Sequence, residues 1–104
     1  MQLVFLHGLE TGPHGNKYQA LKAMFGKVIS PDCEGVLDPY QRLQIIQATM
    51  KEQPGPFIVV GSSAGGLMAL LWQQVEPRIV GLVLCAPALH PLFKNCRPVS
   101  QKAR

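Results

Sequence analysis

Gly61-Ser62-Ser63-Ala64-Gly65 sets a serine among small residues at the junction of two segments with different periods. The apolar run Pro56-Phe57-Ile58-Val59-Val60 comes before it and reads as a buried strand, while Gly66-Leu67-Met68-Ala69-Leu70-Leu71-Trp72 comes after it and reads as a helix. A G-x-S-x-G between strand and helix is a nucleophile elbow, a sharp and strained turn that lifts a serine above the sheet edge. Small residues on both sides let the backbone turn without a Cβ clash, and Gly66 extends that run. Ser63 is the candidate nucleophile. Ser62 is its rival, but Gly61 and Gly65 frame Ser63.

A second signal lies at the start of the chain. Leu3-Val4-Phe5-Leu6 ends in His7-Gly8-Leu9, an H-G at the carboxyl end of an apolar strand. In acyl transfer, negative charge develops on the carbonyl oxygen and needs preorganised N–H donors. A glycine turn after a strand brings backbone close to that oxygen, and the residue after the nucleophile supplies the other donor. The expected donors are the N–H groups of Leu9 and Ala64, with Gly8 giving the close approach. His7 itself reads as a turn residue with a structural role.

The elements that position these residues alternate. Gln2–Leu6 is the first strand, and Gly12, Pro13 and Gly15 mark a loop after it. Tyr18, Leu21, Met24 and Phe25 recur at helical spacing, with Gly26 as a stop. Val28-Ile29-Ser30 is a short second strand closed by Pro31. Asp38-Pro39-Tyr40-Gln41 starts a helix, with Asp as cap, Pro at the first position and Gln three residues past the cap. Leu43, Ile46 and Met50 give that helix its apolar stripe, and Pro54-Gly55-Pro56 ends it. Phe57–Val60 is the third strand, and Ile79–Cys85 is a fourth, slightly weakened by Gly81. The order βαβαβαβ predicts a parallel sheet with right-handed crossovers. Beyond Pro87 the pattern dissolves. Residues 1–90 therefore read as one domain, and 91–104 as a basic tail of low order.

Composition limits the alternatives. The chain has 104 residues, enough for one domain, and its 47% hydrophobic and 15% charged shares suit a sheet covered on both faces. Residues 1–90 balance six basic against six acidic side chains, so the net charge of +4 lies wholly in Lys94, Arg97, Lys102 and Arg104. A neutral body with a short basic tail does not read as a nucleic-acid binder. Cys33, Cys85 and Cys96 form no C-x-x-C pair and cannot all pair internally, which favours a reducing, cytoplasmic setting. Cys85 reads as a small core residue. No signal peptide or membrane span is visible, and no metal or cofactor motif.

In these features the chain resembles the α/β-hydrolase family, and in particular its small, lidless esterases of bacterial type. The carrying residues are Val4-Phe5-Leu6-His7-Gly8, the Thr11-Gly12-Pro13 loop, the elbow from Val59 to Gly66, and Leu82-Val83-Leu84-Cys85-Ala86-Pro87-Ala88. The resemblance covers roughly residues 2–89. It implies an α/β fold with a four-stranded parallel sheet flanked by helices, in spatial order 2-1-3-4. It implies hydrolysis of small acyl esters or thioesters through an acyl-enzyme, with no cofactor.

One departure matters. The family's triad acid and histidine follow the serine, on loops after later strands. Here the acid after Ser63 is Glu76, before Pro77 at the wrong edge of the sheet, and the histidine is His90, after the fourth strand. His90 is the candidate base, though a solvated loop histidine reads as simply. His14 precedes the serine, Asp32 reads as a turn residue, and Cys33 has no basic partner to activate it. The reading is thus an N-terminal part of a serine esterase, of very low activity alone. Its rival is a non-catalytic ligand- or partner-binding module of the same fold; anion binding at the elbow helix comes third. The apolar, uncharged fourth strand would be an open edge prone to self-association.

Overall fold

The computed structural model describes residues 1–9, 12–85 and the backbone of 96–99. Five strands and three helices follow one another as β1 (Gln2–Leu6), α1 (Asn16–Phe25), β2 (Val28–Ile29), α2 (Pro39–Met50), β3 (Phe57–Ser62), α3 (Ala64–Gln73), β4 (Ile79–Cys85) and β5 (Cys96–Val99). The first four strands form a parallel sheet in the order β2-β1-β3-β4, as expected. Each crossover carries a helix, which is how parallel neighbours must be joined.

Alternation along the strands sorts the side chains onto two faces. Val4 and Leu6 of β1 join Phe57 and Val59 of β3 on one face, where Ile46 and Met50 of α2 and Met68, Ala69 and Trp72 of α3 close over them. Phe57 and Trp72 stack there with centroids 5.7 Å apart. Phe5, Val60 and Cys85 point to the opposite face, which α1 covers with Tyr18 and Leu21. β1, α1 and β4 keep their expected limits, and α2 its expected start. Asp38 caps α2 by accepting the Tyr40 N–H at 3.2 Å, with Pro39 at the first helical position.

Several expectations need correction. Met24 and Phe25 do not extend the buried stripe of α1; they are exposed, because α1 meets the sheet through Tyr18 and Leu21. Gly81 belongs to an irregularity in the ladder, where Phe57 faces Ile79 but Ile58 faces Gly81, and Val80 is left exposed. Cys85 is disulfide-bonded while Cys33 is free and buried, so the cysteines no longer argue for a reducing compartment. The fourth strand is not an open edge. β5 pairs with it antiparallel, Leu82 facing Val99 and Cys85 facing Cys96. The sequence around Cys96–Val99 is too short to show a strand period, and Pro98 argues against one. The unsatisfied edge of β4 supplies the pairing, and proline is tolerated on an edge strand. No helix among the described residues is long and apolar enough to cross a membrane.

Candidate active site

The site is built where β3 hands over to α3. Ser63 stands between them at φ 56 and ψ −119, the one non-glycine residue with positive φ among those described. Such a conformation persists only where neighbours over-determine it. Ser63 N–H donates to the Cys85 carbonyl at 2.9 Å, and Gly66 N–H donates to the Ser63 carbonyl at 2.8 Å. The turn is thereby tied to β4 on one side and to the first turn of α3 on the other.

Two glycines make that turn possible. A Cβ at Gly61 would lie 2.5 Å from the Gly65 carbonyl oxygen, and one at Gly65 would collide with the Leu6 carbonyl oxygen. Helix and sheet therefore touch backbone to backbone beneath the serine. Gly66 is different from what the motif suggests. A Cβ there meets nothing nearer than 3.7 Å, so the elbow does not require it. Ser63 projects into solvent, whereas Ser62 closes β3 and pairs with Cys85.

The turn after β1 forms the adjoining wall. A Cβ at Gly8 would lie 3.2 Å from the Ser63 Cβ and 3.7 Å from its Oγ. The two sequence signals thus meet in space, and any side chain at position 8 would press on Ser63. Ala64 opens α3, where helix N–H groups lack intrahelical partners. Leu9, half-exposed, follows Gly8 directly.

His7 is buried, and both ring nitrogens are engaged. Nε2 accepts the Cys33 N–H at 2.9 Å, so it carries no proton, and Nδ1–H donates to the Gly8 carbonyl at 2.8 Å. A neutral imidazole locked in this way has no lone pair left for a serine proton. Cys33 is equally inert. Burial pushes its thiol above the ordinary value, a nearby Arg42 opposing this in part.

Arg42 is the residue the sequence did not disclose. On α2 next to the apolar Leu43, it reads as a solvated arginine, yet it is only 2% exposed. Nε donates to the Val36 carbonyl at 2.5 Å, Nη1 to that of His7 at 3.1 Å and Nη2 to that of Gly8 at 3.4 Å. No periodicity marks it, because two of its three partners are carbonyls of the distant turn after β1.

The remaining candidates stand elsewhere. Asp32 accepts the Glu34 N–H at 3.0 Å in a local turn. His14 is exposed and packs edge-on against Tyr18, 4.7 Å between ring centres. Glu76 grips Arg78 at 2.7 Å, just before β4 begins and thus at the amino edge. His90 lies outside the described residues. Among the described residues no group of three or more His, Cys, Asp or Glu could hold a metal ion. A cavity of about 460 Å³ opens between α1 and the sheet, lined by Leu3, Leu21, Phe25, Ile58, Val60 and Val83 among others. It flanks the amino halves of β1 and β3 and does not include Ser63.

Among protein families, the model described as "Serine aminopeptidase, S33" matches the chain over residues 30–103. The matched span holds the whole elbow and most of the sheet, and exceeds half of the 104 residues. No curated protein and no solved structure matches the chain.

Proposed function

Since this chain belongs to the serine aminopeptidase S33 family of α/β-hydrolases, we propose that it carries acyl-transfer chemistry, with Ser63 as the nucleophile. The observation that carries this reading is Ser63 at φ 56 and ψ −119, exposed between β3 and α3 with Gly8 against it. The Oγ attacks a carbonyl carbon, the carbonyl oxygen becomes an oxyanion, and the N–H groups of Leu9 and Ala64 receive it. Collapse expels the leaving group and leaves an acyl-serine, which water then hydrolyses.

Ester or thioester substrates suit this site better than the amides implied by an aminopeptidase. An alkoxide or thiolate departs with little help, whereas an amine needs a proton from a general acid. His7 has no proton free for that purpose. Deprotonation of Ser63, and the protonation that only an amine leaving group demands, are both left to His90, the single histidine after the elbow. The committed nitrogens of His7 also favour a second reading, a non-catalytic module that binds a ligand or partner at the elbow.

Labelling with a fluorophosphonate separates the two. The expected result is slow modification located at Ser63 by mass spectrometry and lost in Ser63→Ala, with p-nitrophenyl acetate turnover far below that of a working esterase. His90→Ala should slow the labelling further. Folded wild-type protein that takes up no label would overturn the hydrolase reading and leave the binding module.

A further inference from the structure

The buried guanidinium of Arg42 has no part in the chemistry described so far, and its burial is costly. Taking a charge out of water is tolerated only where hydrogen bonds compensate it. Its donors end on the carbonyls of Val36, His7 and Gly8. Two of these three carbonyls belong to the H-G turn that faces Ser63.

The Gly8 carbonyl receives two donors, His7 Nδ1–H at 2.8 Å and Arg42 Nη2 at 3.4 Å. That carbonyl and the Leu9 N–H belong to one planar trans peptide, in which C=O and N–H point in opposite directions. Fixing the oxygen towards His7 and Arg42 therefore fixes the N–H away from them. The next carbonyl back, that of His7, is held by Nη1 at 3.1 Å, so two successive peptide planes are anchored by one side chain. A hydrogen bond accepted at a peptide oxygen also polarises the N–H of the same peptide, making it a stronger donor.

On these grounds we propose that Arg42 is a positioning residue: it sets the Gly8–Leu9 peptide so that the Leu9 N–H meets the oxyanion, and it relays its positive charge through that peptide. His7 assists from the same side. The inference rests on the nucleophile reading of Ser63 and adds to it a group that never touches substrate. Lysine cannot replace arginine here, since a single ammonium lacks the planar fork that spans Val36, His7 and Gly8 together.

Phenylboronic acid tests this without turnover. The Ser63 Oγ–H adds to trigonal boron, an Oγ–B bond forms, the proton goes to solvent, and the tetrahedral boronate places an anionic centre beside the donors. In wild-type protein at pH 8, the ¹¹B signal should move to the tetrahedral range, and the Leu9 and Ala64 amide resonances should shift. In Arg42→Lys and Arg42→Met, the Ala64 response should remain, the Leu9 response should vanish and affinity should weaken by about tenfold or more, as for loss of an oxyanion donor. Far-UV circular dichroism checks that the variants fold. Should neither fold, the wild-type protein still decides. Adduct formation should shift the Gly8 ¹³C′ and Arg42 side-chain resonances together with Leu9, and their staying fixed while Leu9 moves would overturn the relay. Wild-type affinity and a wild-type Leu9 response in a folded Arg42→Met would overturn the positioning role. An absence of any boronate adduct in wild-type protein would instead remove the nucleophile reading, and the inference with it.

Discussion

A serine held at φ 56 and ψ −119 costs about 1–3 kcal/mol against an ordinary backbone conformation. Its side chain caps no N–H of α3, so the hydroxyl gives no local stabilisation in return. The strain and the beneath-turn contacts make a single series of variants informative. Ser63→Gly should raise stability by about 1 kcal/mol while abolishing any labelling. Gly65→Ala should lower it by about 3 kcal/mol or more, because the Leu6 carbonyl cannot yield without moving β1. Gly66→Ala, with room for its methyl inside α3, should be neutral or up to about 1 kcal/mol more stable. Thermal denaturation of the three checks the set, and a destabilised Ser63→Gly would show the turn to be unstrained. At this scale the turn at Ser63 and the close approach of Gly8 to it were legible in the sequence, since motif spacing records short-range geometry. Arg42 was not. Its burial depends on carbonyls of residues 7 and 8, some 34 positions away, and nothing in the pattern of α2 encodes that contact.

Elements with their own period were readable, and the one without it was not. β1, α1 and β4 fall at the expected limits, because apolar alternation, glycine stops and proline boundaries all agree there. α2 starts where Asp38 and Pro39 place it. β5 has four residues, one of them Pro98, and exists through its pairing with β4. That pairing changes what β4 should do in solution. Amides of Leu82 to Cys85, sandwiched between β3 and β5, should exchange with solvent far more slowly than that of exposed Val80, at the ladder irregularity beyond the reach of β5. Hydrogen exchange read by NMR gives the comparison directly. Rapid exchange within Leu82–Cys85 at the residues whose N–H faces away from β3 would mean that β5 does not hold, and the edge-to-edge association expected of a bare strand should then show in sedimentation velocity.

Among the described residues the two faces of the sheet are unequally covered, and stability should follow that inequality. α2 and α3 together bury Ile46, Met50, Met68, Ala69 and Trp72 against one face of the sheet. Among the described residues α1 alone serves the other, with Tyr18 and Leu21 buried and Phe25 left 63% exposed at the mouth of the 460 Å³ cavity. Its N-terminus also lacks a side-chain cap, Gly15 standing where Ser, Asp or Asn would bond the first N–H groups. A helix with two buried side chains and an uncapped start has little to lose by opening on its own. Native-state hydrogen exchange in low denaturant should therefore find α1 opening sub-globally, with a smaller free energy and a weaker denaturant dependence than α3. Point substitutions should agree. Phe25→Ala should cost less than about 1 kcal/mol, as surface changes do, whereas Trp72→Ala should cost about 3–5 kcal/mol because it empties a fully buried site. Exchange of α1 only through global unfolding would show that its face of the sheet is as firmly covered as the other. The elbow, anchored to α3 and β4 and not to α1, should in either case keep its geometry until the whole domain unfolds.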